Sequence, residues 1–215
     1  FLADRHDLYD DRIYWKMAVP LVKKGFQVHY VLIGSKAESG TTSEGRHFKI
    51  LKLKTFSANR FLNFFIKRLN PDNNYSLMLR EAEAIHADIY HFHDLWINRI
   101  GPKLKQFSHK PVVFYDAREP YAEDYLSYVA SPFPFLIQLF ASRVDQWEKK
   151  QAKKYDLVIA NELTVQQNFA QVIGQERSVV LYNYTDLKDK IDSVPFNEKT
   201  YDLIYCGAVT RLRGA

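Results

Sequence analysis

Four short polar clusters carry the residue types that could do chemistry. Asp4-Arg5-His6-Asp7 follows Leu2-Ala3, and His91-Phe92-His93-Asp94 closes an apolar run that starts at Ile89. Asp116-Ala117-Arg118-Glu119 follows Val112 to Tyr115, and Asn161-Glu162 follows Leu157 to Ala160. Asp116 and Glu119 are a carboxylate pair of the kind used in acid–base work. Arg118 between them fits an ion-paired structural loop equally well. His91 and His93, two apart, share one face of a strand and could form a metal pair. No cysteine lies near them and the spacing indicates no third ligand, so no metal centre is expected. Asp94 could instead cap a following helix. No Ser/His/Asp or Cys/His order is evident. Neither G-x-G-x-x-G nor G-x-x-x-x-G-K-[ST] occurs, which argues against an NAD-binding Rossmann domain or a P-loop enzyme.

The elements that must position these clusters read as alternating strands and helices. Leu2-Ala3, Val28 to Ile33, Ile50 to Leu53, Ile89 to Phe92, Val112 to Tyr115, Leu157 to Ala160, Val179 to Tyr182 and Leu203 to Cys206 are the candidate strands. Most are continuous apolar runs, as expected of parallel strands covered on both faces. Between them, Asp10 or Asp11 can cap a helix carrying Ile13, Met17, Ala18, Leu21 and Val22, with Gly25 at its end. Further helices are predicted at about 57–69, 75–86, 96–106, 135–154 and 163–173. Gly34 to Arg46 is polar, lacks periodicity and reads as an exposed mobile loop. The alternation predicts a doubly wound, mostly parallel α/β sheet with right-handed crossovers. In such sheets ligands sit beyond the carboxyl ends of the strands, so the four clusters define one expected cleft.

Composition narrows the classes. The chain has 215 residues, 47% of them hydrophobic, enough for a sizeable core; disordered, collagen-like and disulfide-scaffold classes are excluded. Its single cysteine, Cys206, cannot form an internal disulfide, which suggests a reducing compartment. A net charge of +5 is too small to call for nucleic acid, though an anionic membrane or a phosphorylated ligand fits it. No apolar run has the roughly 18 residues of a membrane span, and no secretory leader is recognised. A cytoplasmic location is expected. The sequence opens inside an apolar segment and closes on Arg213-Gly214-Ala215, so it reads as a piece cut from a longer chain. A polar stretch from Thr185 to Thr200 places a boundary near residue 199.

Several segments together resemble family 4 glycosyltransferases. His6 to Ile13 with Lys16 and Gly25-Phe26-Gln27-Val28 resembles the family's H-x-x-x-x-D-R-I opening, and Ala87 to Asp94 its A-D-x-x-H-x-H-D strand end. Asp116 to Glu119 is similar to the D-x-H-E turn of one branch. Glu148 with Tyr155 to Asn161, Tyr182 to Asp186, and Tyr205-Cys206-Gly207 with Arg213-Gly214 resemble later stretches in the same order. The resemblance implies a GT-B architecture of two Rossmann-like domains, with residues 1–199 as the acceptor-binding half, lacking part of its first strand. Residues 200–215 would begin a nucleotide-sugar-binding domain. It implies transfer with retention of configuration from a nucleoside-diphosphate sugar to a glycan or lipid-linked acceptor, without a metal or other cofactor. His6, Asp11, Arg12, His93, Asp94 and Asp116 would bind acceptor, Arg118 and Glu119 would be the catalytic candidates, and Arg213 would hold the donor diphosphate. The family's histidine in D-x-H-E is Arg118 here, a group that cannot act as a base but can bind hydroxyls or phosphate. The basic residue often found after the family's glycine is Ala208 here. A non-catalytic module binding a glycan or partner, and an isomerase of sugar nucleotides, are the alternatives.

Residues 57–69 invite a membrane reading beside that of a helix packed on the sheet. Phe61, Leu62, Phe65, Ile66 and Leu69 share one face at about 100° per residue. Phe64 falls on the other side among Arg60, Lys67 and Arg68, as in a helix lying peripherally on the inner face of an anionic membrane.

Overall fold

A computed structural model describes residues 1–4, 6–52, 73–128, 133–184 and 194–204. Its centre is an eight-stranded sheet comprising β1 (Leu2–Ala3), β2 (His29–Gly34), β3 (Glu38–Thr41), β4 (His47–Lys52), β5 (Ile89–His93), β6 (Val112–Ala117), β7 (Leu157–Ala160) and β8 (Ser178–Val180). The order is β3-β4-β2-β1-β5-β6-β7-β8, and every pairing is parallel except β3 with β4. Helices flank the sheet, an α/β arrangement compatible with a Rossmann-like fold. The chain passes outward from β1 through β2 to the edge strand β3, doubles back into β4 beside β2, and then, from β5 on, works outward to the other edge. The crevice that ligands favour therefore lies between the carboxyl ends of β1 and β5.

The local sequence accounts for the elements bordering that crevice. Asp10 caps α1 by accepting a hydrogen bond from the Ile13 amide at 2.8 Å. This helix is wide-wound over Asp11–Ala18 and regular over Val19–Lys23, and Pro20, which has no amide to donate, lies just past the change of winding. Gly25 follows at φ +86°, a left-handed conformation suited to glycine. The remaining helices are α2 (Asn73–Ile85), the short α3 (Gly101–Leu104), α4 (Tyr121–Tyr128), α5 (Pro134–Ala152) and α6 (Leu163–Ile173). Alternation along β6 sends Tyr115 toward α5, where it donates a hydrogen bond to Glu148, and Asp116 toward α1, where it meets Arg12. The core stacks Phe92 on Tyr115 at 5.1 Å, with Tyr155 and Phe169 set edgewise around them.

Several expectations needed correction. Gly34 to Arg46 is not an irregular loop: β3 pairs antiparallel with β4, and Gly45 at φ +85° turns the chain between them. All four residues of β3 are exposed, so no apolar signal marked it. Arg46 anchors the hairpin, buried between the rings of Tyr14 and Tyr30 at 4.0 and 4.5 Å. The helix expected over 96–106 splits at Gly101-Pro102 into a 3-10 turn, Leu95–Arg99, and α3. Helix α4 was not foreseen. Leu203 and Ile204 are exposed and not in a strand, while the rest of the expected strand to Cys206 and the helix at 57–69 lie outside the described residues.

Gly101 is held against the core: a Cβ there would stand 2.4 Å from the Tyr155 hydroxyl and 3.0 Å from the Phe92 ring. Tyr155 and Phe92 are both buried and cannot swing aside. Gly101→Ala is expected to destabilise the fold by ~1–3 kcal/mol through overpacking, read as a lower urea midpoint at unchanged slope.

Candidate functional site

The parallel register sets β5 and β6 level, with His93 opposite Asp116. Paired residues in parallel strands share a face, so His91, His93 and Asp116 stand together. Arg12 reaches this face from α1, its Nη2 3.2 Å and Nε 3.4 Å from the two Asp116 oxygens, while Nη1 donates to the Leu181 carbonyl at 2.7 Å. Arg12, His93 and Asp116 are almost wholly buried. His93 Nδ1 lies 3.1 Å from Asp116 and His91 Nε2 3.6 Å from it. Burial opposes charge on Asp116, but the close approach of His91 and the hydrogen bond from His93 hold its carboxyl well below the usual range. Burial lowers both histidines, His93 to about 4, so both are neutral near pH 7. Facing the carboxylate, His93 Nδ1 carries the proton and donates.

His91, His93 and Asp116 could offer a cation three ligand atoms within 4.8 Å of one another. The spacing of the two histidines gave no third ligand, because Asp116 joins them only through strand pairing. The Arg12 guanidinium already shares that carboxylate.

A second group lies beside the first. The loop between β1 and α1 carries His6 into the crevice, with Nε2 2.7 Å from Asp94 Oδ2 and Nδ1 2.9 Å from Asp10 Oδ2. Burial opposes charge on His6, yet these two carboxylates more than offset it and raise its pKa to about 9. The same contacts lower Asp10 and Asp94 against the effect of burial. Arg118 Nη1 stands 2.8 and 2.9 Å from the ring nitrogens of His6 and 3.7 Å from Asp10. With both His6 N–H groups committed to carboxylates, this is a close approach of two cations held together by Asp10 and Asp94.

Asp94 also accepts a hydrogen bond from the Tyr121 hydroxyl at 3.0 Å. Its backbone sits at φ 72°, ψ 155°, a region nearly confined to glycine. Such a conformation costs ~1–3 kcal/mol and persists only where surroundings impose it. His6, Asp94, Leu95, Trp96, Arg118, Glu119 and Tyr121 line a cavity of about 220 Å³.

Of the residues singled out in the sequence, His6, Asp94, Arg118 and Glu119 thus meet around one cavity. Arg12, His93 and Asp116 form the buried network next to it. Asp11 is largely exposed and pairs with Lys16 at 2.5 Å. Arg60, Phe64, Lys67, Arg68 and Arg213 lie outside the described residues. Sequence reasoning read Asp10 only as a cap and passed over Tyr121 and Trp96. Tyr121, just after Pro120 and three positions past Arg118, could have been noticed as the start of a helix facing the cluster. No family model and no curated protein matches the chain.

Two outcomes are expected. Asp116→Asn leaves the Arg12 charge buried without its counter-ion and should cost ~3–5 kcal/mol in urea unfolding. His6, raised from an ordinary 6.5 to about 9, contributes stability that is complete below pH 6.5 and lost as pH rises through 9. The measured unfolding free energy should therefore fall over that window, and His6→Gln should flatten this limb.

Proposed function

We propose that the chain is the acceptor-binding half of a retaining, metal-independent glycosyltransferase. It would move a sugar from a nucleoside-diphosphate sugar to a glycan or lipid-linked acceptor. The architecture proposed is doubly wound and GT-B-like, with the acceptor domain over residues 1–199 and a donor-binding domain beginning at 200–215. A cytoplasmic setting at the membrane periphery goes with this reading. The observation that carries it is the cavity where the strand order reverses, which brings the charged groups of His6, Asp94, Arg118 and Glu119 together.

Carboxylate, imidazolium and guanidinium groups around a half-open cavity are suited to sugar hydroxyls, which donate and accept hydrogen bonds at once. Trp96 adds an aromatic wall. In the proposed reaction the bond from the anomeric carbon to the nucleoside diphosphate breaks, the diphosphate leaving with the electron pair as positive charge develops at that carbon. The acceptor oxygen bonds to the carbon and its proton passes to the departing diphosphate. This chain's own residues would position the attacking hydroxyl. Asp94, fixed by His6 and Tyr121, would accept a hydrogen bond from the acceptor. Arg118, replacing the resembled family's histidine, would donate to a sugar hydroxyl or to phosphate. Arg213 would stabilise the leaving diphosphate.

The test is mass spectrometry of the full-length protein incubated with a panel of nucleotide sugars and candidate acceptors. Transfer is expected, and Arg118→Ala should lower kcat/KM by roughly 10²–10³. Acceptor binding without turnover would replace this reading with a binding module. Turnover of the sugar nucleotide without acceptor would replace it with an isomerase. Unchanged transfer in Arg118→Ala would remove Arg118 from the site.

A further inference from the structure

Helix α5 is amphipathic in an uneven way. Its buried side carries Ala141, Val144, Glu148, Gln151 and Ala152. Its other side changes character along the axis. At the N-terminal end Phe135, Leu136 and Leu139 are 63%, 49% and 50% exposed, with Phe140 beside them at 46%. Farther along that side come Arg143, Gln146 and Lys150, all exposed. The two acids of the helix are engaged elsewhere, Asp145 with Lys149 at 2.9 Å and Glu148 buried against Tyr115. An exposed apolar end of this kind, followed by bases and by no acid on the same side, marks an interaction surface.

Its position in the fold says which side of the molecule it serves. After α5 the chain turns at Lys153 and enters β7 at Leu157, so the C-terminal end of the helix lies by the amino edge of the sheet. In its C-terminal third, Trp147 meets Trp96 at 6.2 Å, and Trp96 lines the candidate cavity. Phe135 precedes Trp147 by twelve positions, about 18 Å of helix at 1.5 Å per residue. The apolar end therefore projects past the carboxyl edge of the sheet, the edge that carries the cavity.

We infer that this exposed side of α5, lying along the surface, is a docking face for an anionic lipid bilayer. Phe135, Leu136 and Leu139 enter the interface, and Arg143 and Lys150 meet the headgroups. Large apolar side chains gain by leaving water, and bases of the same side are drawn to a negative surface potential. A second copy of the chain is the poorer occupant, because packing two such surfaces together brings Arg143 and Lys150 against like charges. The docking itself needs no sugar transfer, so it stands or falls apart from the proposed activity.

Vesicle flotation of the chain tests it, without nucleotide sugar or acceptor. The chain is expected to float with vesicles of phosphatidylcholine mixed with phosphatidylglycerol, and far less with phosphatidylcholine alone. The double substitution Phe135→Ser with Leu139→Ser should lower partitioning by at least about ten-fold. Arg143→Gln with Lys150→Gln should lower it by roughly twenty-five-fold at low salt, the difference shrinking as salt is added. All four positions are exposed, so circular dichroism and melting should match the parent chain. Absence of flotation, or flotation indifferent to both double substitutions, overturns the inference. So does a concentration-dependent dimer in light scattering that Phe135→Ser with Leu139→Ser abolishes, since the surface would then bind a second copy.

Discussion

The contact on which the site depends is the buried pair of Arg12 and Asp116. One guanidinium joins α1 to the end of β6 and, through the Leu181 carbonyl, to the chain leaving β8. A buried ion pair is weak evidence for net stability, because desolvation offsets much of the attraction. Its role here is positional. With the pair in place, His93 has a fixed acceptor, β5 and β6 end level, and Asp94 comes into reach of His6. Asp10, two residues before Arg12, is then carried to the opposite side of His6.

The neighbouring cluster follows another rule. His6 is flanked by two carboxylates and Arg118 is drawn in beside it, so the charges largely compensate one another within a small volume. A ligand rich in hydroxyls can insert among such groups without leaving an isolated charge behind. Burial of a charge without that compensation would be far more costly. The backbone strain at Asp94 belongs to this economy. The carboxylate has two partners, His6 and Tyr121, and their directions hold the residue where its backbone alone would not settle.

Much of this was legible in the sequence, and the reasons differ by residue. Val112 to Tyr115 and Leu157 to Ala160 announced themselves because strands covered on both faces are apolar throughout. Strand ends were legible for the same reason, and His6, Asp94, Arg118 and Glu119 were read from them. What escaped depended on partners distant in sequence. The third member beside His91 and His93 comes from a neighbouring strand, Tyr121 from a helix with weak periodicity, and the β3 hairpin from main-chain pairing and one arginine between two tyrosines. Asp10 was seen, but its helix cap concealed its second role toward His6.

The reach of Arg12 has a consequence for the order of events as the chain is made. Its two partners lie 104 and 169 positions downstream. A chain emerging from a ribosome exposes Arg12 long before Asp116 exists, and longer still before Leu181. The cleft therefore cannot take shape progressively from its N-terminal side. It must close late, in a step that gathers β1, β5, β6 and the end of β8 together, and contacts so far apart in sequence make that step slow. Until then the strands destined for the middle of the sheet have unpaired edges. That interval is when the protein is most open to aggregation.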